Sequence, residues 1–245
     1  MEHQEKISVV IPTFQEEKLA EKILSQFTQE LKNENNIELI VSDGGSSDKT
    51  LEIAGRFADK IIENTERTKQ NISIGRNRGA KAAEGEILIF VNADTMINKI
   101  DQFFSAIRKA ITEPGTIAVT CPVYVYPDEE TIFDRLLHSL MNVYFFLLNI
   151  LGLGMGRGEC HIVRKKFFEK VGGYDERIAA GEDFDLFHRL RKMGRIRFLW
   201  KLNVFESPRR YRKEGYYRII FLWLANAVSV LIFKKSILNE WKPVR

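Results

Sequence analysis

Gly85-Glu86-Ile87-Leu88-Ile89-Phe90-Val91-Asn92-Ala93-Asp94-Thr95 is an apolar run that ends in a carboxylate. Five consecutive apolar residues bounded by polar ones read as a strand buried on both faces, the kind found in parallel sheets covered by helices. In open α/β folds ligands sit beyond the carboxyl ends of the strands. Asp94, with the Asn92 amide two residues before it, is therefore placed to hold a metal and a phosphorylated substrate. Taken alone, such an Asp reads more readily as the cap of a following helix. The surrounding pattern decides between the two.

Upstream, Ile7-Ser8-Val9-Val10-Ile11-Pro12 is a β-branched run ended by proline, and Leu19, Ile23, Leu24, Phe27 and Leu31 recur at helical spacing over 16–32. A second strand over 37–41 ends at Ser42-Asp43-Gly44-Gly45-Ser46-Ser47-Asp48, which makes a βαβ unit. A helix over 49–57, a short strand over 60–63 and a helix over 71–83 lead into the strand at 87–91. This alternation predicts an α/β fold with a largely parallel sheet flanked by helices. Beyond it, 116–126 reads as one long strand and 132–151 as a helix rich in large apolar residues, followed by strand-like 160–164 and helices over 165–171 and 182–193. The last segment joins the basic patch Arg209-Arg210-Tyr211-Arg212-Lys213 to a helix that is uncharged over 219–233.

With 245 residues, 44% hydrophobic and 29% charged, the chain has the make-up of an ordinary folded domain, without repeats or low-complexity linkers. Its polar opening, Met1 to Lys6, runs straight into a strand, which sets the expectation of a cytoplasmic protein without a signal peptide. Cys121 and Cys160 form no C-x-x-C pair and suggest packing rather than zinc or disulfide chemistry. The net charge of +4 is uneven: residues 195–245 carry twelve Lys/Arg against Glu206, Glu214 and Glu240, or +9, which leaves −5 on the first 194. A basic tail suits a polyphosphate substrate, an anionic membrane surface or nucleic acid. The 15-residue stretch 219–233 is short of the roughly 20 residues needed to span a bilayer. Buried packing and an interfacial helix, with Arg218, Lys234 and Lys235 reaching anionic lipid, stand as equal readings, and the same holds for 144–151.

In a parallel sheet the loops after Ile11, Val41 and Val91 share one edge, which gathers Glu16, Asp43, Asn92 and Asp94 into one crevice. There Asp43 can accept hydrogen bonds from a base N–H or a ribose hydroxyl, or simply make its own turn and cap the next helix. Asp94 offers a hard oxygen to Mg²⁺ or Mn²⁺, which would bridge a diphosphate.

These residues resemble glycosyltransferase family 2, enzymes of the GT-A fold that use nucleotide-activated sugars. Val9-Val10-Ile11-Pro12-Thr13-Phe14-Gln15-Glu16-Glu17 is similar to the family's V-I-P-T-Y-N-E-E opening, 43–50 to its D-G-S-x-D-x-T nucleotide loop, and Gly75-Arg76-Asn77-Arg78-Gly79 to its A-R-N-x-G element. Asn92-Ala93-Asp94 stands where the D-x-D metal motif belongs. Gly172-Gly173-Tyr174-Asp175-Glu176, followed by Gly181-Glu182-Asp183-Phe184-Asp185-Leu186, is similar to the acceptor-side G-G-F-D-E and E-D-x-D-L pair. Each motif is weak alone, but five in order over almost the whole chain are specific.

The resemblance implies a Rossmann-like GT-A domain over 1–206, divided into a nucleotide-sugar half (1–115) and an acceptor half (116–206), with 207–245, a basic loop and an apolar helix, packed on it or lying at a membrane surface. It implies an inverting transfer from a UDP- or GDP-linked sugar to an acceptor hydroxyl or phosphate. Asp183, with Glu182 beside it, would be the catalytic base, and Asp94 the ligand of Mn²⁺ or Mg²⁺. Pro12, Thr13, Glu16, Asp43, Arg76 and Asn92 would contact the donor. Arg209 and Arg210, in a tail that resembles an Arg-Arg-aromatic element of a small subgroup, would meet the leaving diphosphate or a lipid phosphate. Two departures stand out: Asn92 replaces the first Asp of D-x-D, which lowers the expected metal affinity, and Gly44 replaces the second Asp of D-D-G-S. The acceptor is expected to be lipid-linked or membrane-embedded, with the protein peripheral at the inner face of the membrane.

Rival readings fit less well. A nucleotidyltransferase would carry a Gly-rich, Arg-containing loop where Thr13-Phe14-Gln15-Glu16-Glu17 stands, and a dehydrogenase would show G-x-G-x-x-G after a strand. A degenerate, non-catalytic binding or scaffold domain is motivated by Asn92 and opposed by Asp43, Asp94 and Asp183. Basic and aromatic residues do not gather as a nucleic-acid surface requires, so no nucleic-acid partner is expected.

Overall fold

The computed structural model describes residues 4–66, 71–233, 235–237 and 244; Lys234, one of the basic residues named above, lies outside them. The elements follow in chain order: β1 (Ile7–Thr13), α1 (Ala20–Leu24), α2 (Gln29–Glu34), β2 (Ile37–Asp43), α3 (Thr50–Ala54), β3 (Lys60–Glu63), α4 (Ile72–Ala82), β4 (Ile87–Val91), β5 (Thr95–Ile97) and α5 (Ile100–Thr112). The second half continues with β6 (Thr116–Thr120), β7 (Val123–Val125), α6 (Ile132–Ile150), β8 (Cys160–Arg164), α7 (Lys165–Lys170), α8 (Glu182–Arg191), β9 (Arg195–Phe198), β10 (Val204–Glu206), α9 (Arg209–Glu214) and α10 (Tyr216–Phe233).

Seven strands form one sheet in the order β3-β2-β1-β4-β8-β6-β9, and β5, β10 and β7 form a second, small one. In the large sheet β8 alone runs against its neighbours β4 and β6, and the other pairings are parallel. Every residue of β2 and β4 is buried, because helices cover both faces. The period of two sorts the side chains: Val9, Leu39 and Ile89 face one core, and Val10, Ile40, Leu88 and Phe90 the other. α4 lies close on β1 because a Cβ at Gly79 would stand 2.3 Å from Val10 Cγ1, which only glycine avoids.

Several expectations are corrected. The helix over 16–32 is two short ones, since the chain turns after Leu24 and restarts where the Thr28 hydroxyl caps α2 through Leu31 N (3.2 Å). The long strand over 116–126 breaks at Cys121-Pro122, where proline cannot continue the ladder, and its two parts enter different sheets. The basic patch at 209–213 is a helix, not a loop, and β5, β9 and β10 are additions to the pattern read above. The 132–151 segment packs with one face and exposes the other. Phe145 joins Met155 and Phe184 in a small core that also takes Ala227 of α10, while Leu140 and Leu147 are exposed. α10 likewise buries Ile219 and Val230 and exposes Phe221, Leu224 and Val228.

Candidate active site

Three clusters line the carboxyl edge of β1, β2 and β4. The first is the Asp43 loop. Asp43, at the end of β2, is paired in register with Thr13 at the end of β1. Its Oδ1 accepts from the backbone N–H groups of Gly45 (2.8 Å) and Ser46 (2.7 Å), and its Oδ2 from the hydroxyls of Thr13 (2.8 Å) and Ser46 (2.7 Å). Four hydrogen bonds fill a carboxylate's acceptor positions, so Asp43 shapes the turn. Gly45 sits there at φ 95°, a conformation that favours glycine. Pro12 of β1 packs against Gly75 of α4, which completes the floor of this edge.

The second cluster surrounds Arg76, which α4 delivers into the interior with no exposed surface. Its Nη1 donates to Glu182 Oε1 (2.9 Å), its Nη2 to Asn92 Oδ1 (2.9 Å) and to the Gly158 carbonyl (2.5 Å), and the guanidinium lies over the Tyr174 ring. The Asn92 amide oxygen is thus turned onto Arg76 rather than toward the crevice, and Arg76 itself faces protein acceptors. This one side chain ties the strand end that carries Asp94 to the first turn of α8, which carries Asp183. Asp183 is half-buried, and its Oδ1 accepts from Phe184 N (2.9 Å). Burial pushes the Asp183 carboxyl well above the ordinary carboxylate range, and the charges of Glu182 and Glu159 push it further.

The third cluster joins the tail to the first strand ends. Arg209, the first residue of α9, donates from Nη1 and Nη2 to the two oxygens of Glu16 (2.9 Å each) and from Nη2 to Asp94 Oδ2 (2.9 Å). Burial lowers the affinity of this guanidinium for its proton, but its bonds to Glu16 and the charge of Asp94 more than offset that. The Asp94 backbone is fixed from behind, its carbonyl accepting from the Tyr126 hydroxyl (2.7 Å) and from Ser207 N (3.2 Å). Arg210 pairs with Glu214 on its own helix (2.8 Å).

A fourth, buried network was not foreseen. Arg157 donates from Nη2 to Glu206 Oε1 (2.6 Å), lies 3.3 Å from Glu159 through Nε, and approaches His138 Nδ1 at 3.3 Å; Tyr211 of α9 donates to Glu206 Oε1 (2.8 Å). Burial and the Arg157 charge lower the His138 pKa to about 4, so its ring is neutral. Burial and the nearby Glu159 raise Glu206 well above the usual range. The sequence signal was charged residues set in apolar, strand-like surroundings, such as Glu206 after Val204-Phe205.

The residues present fit a divalent cation of one kind. Among the described residues no three His, Cys, Asp or Glu side chains gather into an all-protein cage. Asp94 is instead a partly exposed carboxylate at a strand end, as suits Mg²⁺ or Mn²⁺ shared between one or two carboxylates and substrate phosphates. Among the described residues no helix is long and apolar enough to cross a membrane.

Comparison with known proteins places this chain in a family. The chain is 27% identical over 181 residues to the glycosyltransferase AglE of Haloferax volcanii, matching 72% of this chain and 58% of that protein. It is 32% identical over 97 residues to the poly(ribitol-phosphate) beta-N-acetylglucosaminyltransferase TarS of Staphylococcus aureus, matching 38% of this chain and 17% of that one. The chain thus spans only part of these relatives. A mannosyltransferase of Pyrobaculum calidifontis, solved in complex with GDP-Man and Mn²⁺, superposes with a TM-score of 0.69 at 20% identity over 93% of this chain and 63% of that one. Glucosyl-3-phosphoglycerate synthase of Mycobacterium tuberculosis does so at 0.62 and 18%, over 94% and 80%. These likenesses show the GT-A fold, a mostly parallel sheet flanked by helices. The model of the glycosyltransferase-like family 2 matches residues 8–205, and the chain belongs to that family.

Proposed function

We propose that this protein transfers a sugar from a UDP- or GDP-linked donor to an acceptor hydroxyl or phosphate with inversion at the anomeric carbon. The observation that carries the reading is the Arg76 bracket, which ties the Asp94 strand end to the Asp183 helix start through bonds of 2.9 Å to Asn92 and Glu182. Asp183 takes the proton from the acceptor as its oxygen bonds the anomeric carbon on the face opposite the nucleotide. The bond from that carbon to the diphosphate breaks, and its electron pair leaves with the nucleotide. A base so placed contributes about 10²- to 10⁴-fold, and a carboxyl raised by burial is the stronger proton acceptor. A divalent cation at Asp94, when bound, neutralises charge that builds on the departing diphosphate. Thr13, Pro12 and the Asp43 turn would form the floor for the nucleoside, and Arg209 and Arg210 are the cations that would meet the phosphates.

Calorimetric titration of a panel of UDP- and GDP-sugars with Mn²⁺, repeated with chelator, tests this. We expect one nucleotide class to bind in a metal-dependent way and Asp94→Ala to abolish the metal effect while the protein stays folded. Binding indifferent to chelator removes Asp94 from the role.

The acceptor we propose is lipid-linked and met at an anionic membrane surface. The support is the exposed apolar stripe on α6 and α10, which begin side by side with the Phe133 and Tyr216 rings 5.0 Å apart, and the exposed Lys213, Arg218 and Lys235 near it. Each such cation adds about 1 kcal/mol near an anionic surface, screened by salt. Flotation with anionic liposomes should show binding that weakens with salt and falls when these three are neutralised. Protein that stays in the soluble fraction at low salt sinks the membrane reading.

A further inference from the structure

We infer that Arg209 is the resting counter-ion of the Asp94 carboxylate, and that a divalent cation arriving with a diphosphate takes its place there. The inference rests on the reading of Asp94 as the metal ligand and adds how access to that ligand is regulated.

Glu16 and Asp94 reach the same guanidinium from two strand ends, with three bonds of 2.9 Å between them. Glu16 holds the guanidinium through two of these bonds and Asp94 through one, so Asp94 is the carboxylate that the arginine can release. Asp94 Oδ2 is the atom in contact, and a guanidinium at hydrogen-bond distance from a ligand oxygen repels a metal ion coordinated by the same carboxylate. The two must exchange or share weakly.

The surroundings permit exchange without unfolding. The Arg209 side chain is 21% exposed and that of Asp94 25%, whereas Glu16 is 8% exposed, so the bond that opens is the one nearest water. α9 does not depend on it. That helix is held separately by the buried bond from Tyr211 to Glu206 (2.8 Å) and by Arg212, which pairs with Asp134. When Arg209 leaves Asp94, its bidentate pair with Glu16 stays, and only one of its three bonds is lost. The N–H group set free would then be a donor for an oxygen of a diphosphate. Nucleotide and metal thereby become coupled: the metal alone must displace an arginine with no new acceptor, and the diphosphate supplies that acceptor. Such coupling is reciprocal.

Mn²⁺ titrations that follow the electron paramagnetic resonance signal of the free ion, without and with UDP or GDP, measure this on the full chain. For the natural protein we expect weak Mn²⁺ binding that a nucleoside diphosphate strengthens. Arg209→Gln, which keeps a donor for Glu16, should bind Mn²⁺ alone about tenfold more tightly and show a smaller gain from nucleotide. Arg56→Gln, which removes an exposed guanidinium paired with Glu21 (3.0 Å), should behave as the natural protein. If Arg209→Gln does not fold, Arg209→Lys serves, because a single ammonium spans the two carboxylates poorly and an intermediate gain is expected. Unchanged or weaker Mn²⁺ binding in the folded Arg209 variant, with the nucleotide gain intact, overturns the exchange. Asp94→Ala separates the two layers: if it binds Mn²⁺ with nucleotide as the natural protein does, the metal assignment fails and the exchange falls with it. If it alone loses Mn²⁺ while Arg209→Gln gains nothing, only the exchange fails.

Discussion

Two arginines organise this site, and they differ in what surrounds them rather than in what they touch. Arg76 and Arg209 each bridge a carboxylate to the segment of Asn92 and Asp94, at the same 2.9 Å. Arg76 does so with no exposed surface, under the Tyr174 ring, and Arg209 does so at an edge open to solvent. A buried guanidinium whose two terminal nitrogens bond only to protein has no alternative partner within reach, so it is a fixed bracket. One that water or a phosphate can reach is exchangeable. The sequence placed both in the donor site because motif and chemistry are blind to burial.

The largest effect that tests this contrast is on stability. Arg76→Gln should cost about 3–5 kcal/mol, since Glu182 is left as a buried carboxylate without its partner and the Asn92 amide loses a donor. Urea unfolding followed by circular dichroism measures it. A loss below about 1 kcal/mol would mean that the bracket relaxes, and the distinction between fixed and exchangeable would lose its first half.

The next effect is on turnover and reads what the bracket is for. Asp183→Asn should lower the rate about 10²-fold or more, with donor affinity nearly unchanged, once a donor and acceptor are in hand. The pH profile carries a sign. Burial and the neighbouring Glu182 and Glu159 raise the Asp183 carboxyl, so the basic form is lost as pH falls through that raised value, at a higher pH than for an ordinary carboxylate near about 4. The same shift means that the folded state holds the proton more tightly than the unfolded one. The stability this lends is full below the ordinary carboxyl pKa and is lost as pH rises through the raised value. Above that raised value the ionised Asp183 costs stability, and there Asp183→Asn should melt higher than the natural protein while being the slower enzyme. A variant that melts lower would indicate that Asp183 holds α8 in place.

How much of this was legible follows from range. β1, β2 and β4 announced themselves by apolar runs, and the register of β1 on both neighbours put Glu16, Asp43 and Asp94 on one edge, as the alternation required. The break at Pro122 was in the sequence but was outweighed by the apolar residues on either side of it. The inward turn of Arg76 was not legible, because it depends on which face of α4 meets β1, and that is fixed by Gly79 against Val10. Glu206, Arg157 and Tyr211 meet across distant parts of the chain without any period to mark them. Nor does a sequence tell whether Asp43 offers its oxygens to a base or, as here, to its own loop.

The smallest expected effect is the other half of the comparison. Arg209→Gln should cost about 1 kcal/mol or less, although Glu16 is as buried as Glu182 and loses a bidentate partner. Two differences make the loss small. The glutamine amide can still donate to Glu16, and the edge between Glu16 and the exposed side of Asp94 admits water, which restores hydrogen bonds that no water can restore around Arg76. The helix is retained by Tyr211 and Arg212, so the rest of the tail does not follow the side chain. Unfolding of the two Arg→Gln variants under one set of conditions gives the comparison directly, and adding salt sharpens it, because screening weakens the exposed contact and leaves the buried one nearly untouched. Equal losses at the two positions would mean that Arg209 is as fixed as Arg76, and a fixed Arg209 would keep any cation away from Asp94.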